Sequence, residues 1–169
     1  MKERVRLQEI IKDIPLLVSL AILITFLALN FSGYLMLAVI EGKSMEPLLK
    51  YGDLVLVTRV SPQDIHVNDV IVYKSCRPGN MIIHRVINVV VRDGKYYFVT
   101  QGDNNPFPDS ALPGNEFREG YPCTLKNAPG VPSERVIGKV IEINGNPIKI
   151  PYVGLITILF KSFLKILGR

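Results

Sequence analysis

One serine in this chain is set where a nucleophile could be built. Ser44 lies in Ile40-Glu41-Gly42-Lys43-Ser44-Met45-Glu46-Pro47, with Gly52-Asp53 just behind and apolar β-like runs on either side, at 34–40 and 54–57. Gly42 accepts unusual backbone angles and Pro47 stiffens the exit, so such a turn can lift a hydroxyl clear of a sheet edge. A serine hydroxyl attacks poorly unless a neighbouring base takes its proton. The chain has only two histidines, His66 and His84. His84 sits in the apolar run Met81-Ile82-Ile83-His84-Arg85-Val86-Ile87, where it must project from one face of a strand. His66 lies in a polar connection and reads as solvated. Lys43 is adjacent to Ser44, and neighbouring side chains of extended backbone point apart, which places it badly for a base. An imidazole base gains from a carboxylate that fixes its tautomer. Asp103 and Asp109 supply candidates just past the β-like run at 95–101. Taken singly, each residue also has an ordinary reading: Ser and Asp as turn formers, His84 as a satisfied core or edge histidine.

The elements that must position these groups are legible in outline. No charged residue occurs from 14 to 40, and 14–31 nearly supplies the ~20 apolar residues of a spanning helix. This run exceeds the ~7–15 residues of a cleavable secretory signal, so it predicts a retained transmembrane helix. Pro15 falls near its start, Asn30, Ser32 and Gly33 mark its stop, and 1–13 reads as a short amphipathic lead-in. Lys2, Arg4, Arg6 and Lys12 predict a cytoplasmic N-terminus, with the remainder outside the cytoplasm at the cell membrane.

Short β-like runs follow at 35–41, 54–59, 70–73, 81–91, 95–101 and 135–143, with a hairpin turn at Arg92-Asp93-Gly94. They predict a mainly β fold, a partly closed barrel or sandwich. The Pro- and Gly-rich segment 104–133 reads as a long functional loop. At the far end, 150–167 is apolar apart from Lys161, Ser162 and Lys165. The two lysines share one helical face, which favours a helix lying in the membrane interface over one that crosses. The expected organisation is lead-in and anchor at 1–33, a β-rich domain at 34–149 and a membrane-associated helix at 150–169.

Composition narrows the class. Of the 169 residues 48% are hydrophobic, and they cluster at the two ends, as in a globular middle with membrane segments. The net charge of +5 is scattered, which argues against nucleic-acid binding and fits contact with an anionic lipid bilayer. Cys76 and Cys123 have no C-x-x-C spacing, which argues against a zinc site, and the sequence leaves open whether they pair.

Four boxes, in order, resemble type I signal peptidases. Gly42-Lys43-Ser44-Met45-Glu46-Pro47 followed by Gly52-Asp53 is similar to their nucleophile region. Ile83-His84-Arg85-Val86 resembles the base region of the archaeal and endoplasmic-reticulum branch, in which histidine replaces the bacterial lysine. Gly102-Asp103-Asn104-Asn105 with Asp109 resembles that branch's acidic box, and Gly138-Lys139-Val140 its closing strand. The likeness runs from about residue 14 to the C-terminus. It implies Ser44 as nucleophile, His84 as general base, Asp109 as the triad carboxylate and Asp103 as a nearby supporting acid. The insert Pro106-Phe107-Pro108, and Ser110 after Asp109, leave open which aspartate orients His84; Asp109 is preferred. The resemblance further implies a β-rich serine endopeptidase on a membrane anchor, with no cofactor. Its substrates would be secretory preproteins whose signal peptides end in small residues, and its partners a translocon or accessory subunits. The rival reading is a non-catalytic, membrane-tethered β-domain serving as scaffold or accessory subunit. A self-cleaving repressor-type peptidase would need a DNA-binding segment and a strand-borne lysine base, where this chain offers an anchor and His84.

Overall fold

The computed structural model describes residues 2–75, 79–111 and 128–167. Cys76, Cys123 and most of the long loop lie outside them, and the question of a disulfide with them. The chain forms two compact units, Met1–Met36 and Leu37–Arg169.

In the first unit, helix α1 runs over Lys2–Phe31. Its segment Lys12–Phe31, 20 residues with a mean hydropathy of 2.4, is long and apolar enough to cross a membrane. At ~1.5 Å per residue it matches the ~30 Å of a bilayer's hydrocarbon core. Ser19 and Thr25 return their hydroxyls to the Leu16 and Ala21 carbonyls, so neither presents an unsatisfied donor to an apolar surround. Lead-in and anchor form one continuous helix, with Pro15 inside it. Proline removes a single N–H, and the Lys, Glu, Arg, Leu and Gln residues before it are strong helix formers. The helix ends as expected at Gly33, whose φ of 72° suits glycine. Its N–H reaches the Asn30 carbonyl while that of Tyr34 reaches Leu29, a Schellman stop.

The second unit is mainly antiparallel β-sheet. Its strands are β1 (Leu35–Val39), β2 (Leu54–Thr58), β3 (Val70–Lys74), β4 (Met81–Arg92), β5 (Lys95–Gln101), β6 (Val131–Pro132) and β7 (Val136–Val140), followed by β8 (Glu142–Ile143), β9 (Asn146–Pro147) and β10 (Lys149–Ile150). The ladder order is β1-β2-β7-β3-β4-β5-β6, with β10 also on β2. Among the described residues this ladder is open, with β1 and β6 at its ends, so no closed barrel forms. Helix α2 (Gly154–Leu167) follows β10.

The expected strands recur with small shifts at their ends. Asp93 and Gly94, both at positive φ, make the tight turn between β4 and β5. The run expected at 135–143 is instead divided. After β7 the chain leaves as the β8–β9 hairpin, turned at Asn144 and Gly145, and returns as β10 along the same edge of β2. Leu56 receives both halves, accepting from Ile141 N–H and donating to the Ile148 carbonyl.

The register decides which side chains meet. Ile71 of β3 lies opposite His84 of β4, and Val86 of β4 opposite Thr100 of β5. With their period-two neighbours, Tyr73, His84 and Thr100 therefore share the inner face. That face is packed by Ile65, Ile71, Tyr73, Val86, Phe98 and Val131. A bulge between Val86 and Asn88 shifts the β4–β5 register just past His84.

Candidate active site

Ser44 is carried by the loop between β1 and β2. The loop is closed at its base by paired bonds, Ile40 N–H to the Asp53 carbonyl and Gly52 N–H to the Ile40 carbonyl. Met45 and Leu49 are buried beneath it, which pins it to the core. Asp53 is buried as well and accepts from the Lys50 N–H and from Lys149 Nζ of β10, at 3.0 Å each. Burial raises the Asp53 carboxyl, but these donors and the lysine's charge outweigh it and hold it below its ordinary value. Ionised Asp53 therefore favours the folded state above the unfolded value of ~3.9, and this contribution is lost as pH falls through the lower folded value. Lys149→Met leaves the buried carboxylate unpaired. Because the lysine is itself partly exposed, we expect a loss near the lower end of the ~3–5 kcal/mol of a broken buried pair, read as a lowered denaturation midpoint.

The turn after β5 presses on the nucleophile. Asn104 donates from its N–H to the Ser44 carbonyl at 2.8 Å and from Nδ2 to the Lys43 carbonyl at 3.2 Å. Gly102 leaves no room for a side chain: a Cβ there would stand 2.6 Å from the Ser44 carbonyl oxygen and 2.9 Å from Ser44 Cβ. Gly102→Ala must push the serine aside, and a displacement near 1 Å costs on the order of 10²-fold in rate. Steady-state kinetics should show that loss in kcat/KM with an unchanged fold by circular dichroism.

Ser44, His84 and Asp109 are brought into line. His84 Nε2 stands 2.9 Å from Ser44 Oγ, and His84 Nδ1 stands 2.6 Å from Asp109 Oδ2. A carboxylate only accepts, so Nδ1 carries the proton and Nε2 offers its lone pair to the hydroxyl. The same Asp109 oxygen accepts from Tyr73 OH at 2.8 Å and Thr100 Oγ1 at 2.7 Å. His84, Asp109, Thr100 and Tyr73 are each at most 7% exposed, so water competes little for these bonds.

Asp103 is not in this line. It forms a two-bond pair with Arg85, Nε at 2.8 Å and Nη2 at 2.7 Å, while Arg85 Nη1 donates to the Asn68 carbonyl. The Asp103 bond is the main cause that raises Arg85 above its ordinary value, against burial. Arg85 and His84 are consecutive on β4 and project to opposite faces. Asp103 thus braces the Gly102–Asn105 turn from outside, while Asp109 reaches the imidazole from within. His66 is exposed, its backbone N–H on Asp69, in keeping with a solvated residue. Among the described residues no cluster of His, Cys, Asp or Glu could hold a metal ion.

Tyr73 and Thr100 escaped the sequence reading. Thr100 alternates with buried Phe98 on β5, and a hydroxyl at a core-facing position needs a partner, which was the available clue.

Comparison with known proteins bears on this arrangement. The family described as "Signal peptidase, peptidase S26" matches residues 9–104, a stretch that holds Ser44, His84 and Asp103 and stops short of Asp109. Signal peptidase complex catalytic subunit SEC11C of Homo sapiens is 31% identical over 130 residues, covering 76% of this chain and 59% of that protein. The chain thus spans well under two thirds of this relative's length. Signal peptidase complex catalytic subunit SEC11 of Schizophyllum commune is 29% identical over 143 residues, 75% of this chain and 65% of the relative. An uncharacterized protein of Methanocaldococcus jannaschii is 25% identical over 187 residues, 74% and 83%.

Proposed function

This chain belongs to the signal peptidase family, peptidase S26, and from that premise we propose that it cuts signal peptides from secretory preproteins. It is a membrane-bound serine endopeptidase with Ser44 as nucleophile, His84 as general base and Asp109 as the carboxylate that orients the base. One observation carries this reading: the hydrogen-bonded line from Asp109 through His84 to Ser44, at 2.6 and 2.9 Å.

The chemistry follows from that line. Ser44 Oγ attacks the scissile carbonyl as its proton passes to His84 Nε2, and Asp109 balances the imidazolium's charge. The imidazolium then returns the proton to the departing amine, and a water molecule, activated by the same base, releases the acyl group from Ser44. The tetrahedral oxyanion faces the Ser44 backbone N–H and a neighbouring donor. The substrate's cleavage segment adds in extended form beside β1, which ends the sheet. Small residues before the cut suit such close backbone approach.

Residues 1–33 act as lead-in and anchor, 34–149 as the peptidase, and 150–169 as a membrane-associated helix. The basic residues ahead of the apolar part of α1 support a peptidase on the extracytoplasmic side of the cell membrane. Two of the relatives are named as subunits of a complex, which supports partner subunits or a translocon beside it.

The test is a preprotein carrying an A-x-A cleavage site, incubated with the purified full chain in detergent. Mass spectrometry should find a single cut after the small residue. An intact preprotein in the presence of folded chain would leave the scaffold or accessory-subunit reading in its place.

A further inference from the structure

The loop that carries Ser44 is seated on the segment that opens α2. Its neck is closed by backbone bonds among Ile40, Gly52 and Asp53, and both sides of that neck also meet the C-terminal segment. The Gly52 carbonyl accepts from the Gly154 N–H at 2.9 Å. The Asp53 carboxylate accepts from Lys149 Nζ and from the Tyr152 N–H. Lys149 Nζ reaches the Leu48 carbonyl as well, and Lys161 Nζ reaches Glu41 Oε1 on the entry side. The fit at buried Gly154 is close: a Cβ there would stand 2.5 Å from Val39 Cγ1 and 2.8 Å from the Gly52 carbonyl oxygen. Tyr152, two residues earlier, holds a φ of 61°. That left-handed backbone is costly for a bulky residue and persists only where its surroundings fix it. A helix merely trailing from a finished domain needs neither the missing side chain nor the strained turn.

We propose that Gly154 is a positioning residue for Ser44: its close seat sets the neck of the loop and, through the neck, the reach of the serine hydroxyl to His84. The loop has two supports. On one side the turn after β5 bears on Ser44 itself, through the Asn104 N–H and the bare Gly102. On the other, Gly154 bears on Val39 and Gly52, which flank the serine in the chain. A side chain at 154 must push both of them. The Ile40 N–H bond to the Asp53 carbonyl and the Gly52 N–H bond to the Ile40 carbonyl then carry the shift into the loop. Buried Met45 and Leu49 leave little room to absorb it, since close-packed interiors transmit strain. Gly154 lies beyond the 34–149 stretch assigned to the peptidase, yet by this geometry it belongs to the working part. The inference rests on the peptidase reading above.

Gly154→Ala in the full chain tests this. Gly154 opens a helix without a positive φ, and alanine is the better helix former. If α2 were only an appendage, the substitution would keep the denaturation midpoint and leave cleavage alone. The expected result, on the A-x-A preprotein in detergent, is a kcat lower by ~10–10²-fold with KM within about twofold, the pattern of a misplaced nucleophile. Gly102→Ala moves the same serine from the other side, so in the double variant the two losses should fall short of multiplying. A parental kcat, a raised KM with kcat kept, or losses that multiply would each overturn the proposal. Should Gly154→Ala not fold, it is placed in the Val39→Ala chain, where the nearer contact is gone and the push on the Gly52 carbonyl remains. There kcat should still fall below that of Val39→Ala alone, and an equal kcat overturns the proposal. A parent chain that leaves the preprotein intact removes the peptidase reading and this inference with it. A parent that cuts, with Gly154→Ala cutting as fast, removes only this inference.

Discussion

Ser44→Ala is expected to reduce preprotein cleavage on the order of 10⁶-fold, the scale lost when a serine peptidase loses its nucleophile. The argument is local. Ser44 Oγ is the hydroxyl within reach of His84 Nε2, at 2.9 Å, and among the described residues it is the side chain bonded to that nitrogen. Removing one oxygen leaves the loop's supports untouched, because the Asn104 N–H still meets the residue 44 carbonyl and Met45 and Leu49 stay buried. Membrane insertion and the denaturation midpoint should therefore match the parent chain. Initial rates on a labelled preprotein in detergent measure the effect. A variant that keeps even a tenth of the parent rate would move the nucleophile elsewhere.

How far the sequence discloses this site depends on the kind of signal each residue leaves. Ser44 and His84 were legible because each is chemically conspicuous: a lone hydroxyl between Gly and Pro, and an imidazole in an apolar run of a chain with two histidines. The strands of the central ladder were legible for the same period-two reason. Tyr73 and Thr100 were not, since a buried tyrosine or threonine in a strand is indistinguishable from packing until the register sets it against Asp109. β6 was hidden in the segment 104–133 because a two-residue edge strand containing proline leaves no alternating pattern. The β8–β9 hairpin did leave a cue, Asn144-Gly145, which lay just past the run expected at 135–143 and went unused. Periodicity shows that α2 is helical and apolar but cannot say which element it touches. Pairing with a residue 120 positions away, Glu41 with Lys161, settles that and has no trace in local sequence.

The two aspartates separate by the same long-range logic, and their replacement should separate in rate. Asp109→Asn removes the charge that balances the imidazolium and is expected to lower kcat/KM by up to ~10⁴-fold. Among the described residues, donors from His84, Tyr73 and Thr100 converge on Oδ2. An asparagine that turns its amide N–H₂ toward Nδ1 also forces the proton onto Nε2, which takes the base away from Ser44. Thr100→Val deletes one of these donors and should cost only about fivefold, near the ~1 kcal/mol of a single hydrogen bond. Asp103→Asn touches the imidazole only indirectly, through Arg85 and the turn that holds Ser44. Its effect should lie near ~10–10²-fold, the scale of a misplaced reactant. It should also shrink when Arg85 is already replaced by glutamine, because the two side chains act as one brace. Kinetics on the single variants and the Arg85–Asp103 double-mutant cycle test the assignment. If Asp103→Asn proves as damaging as Asp109→Asn and does not couple to Arg85, the carboxylate that orients His84 is Asp103 and the line drawn through Asp109 is wrong.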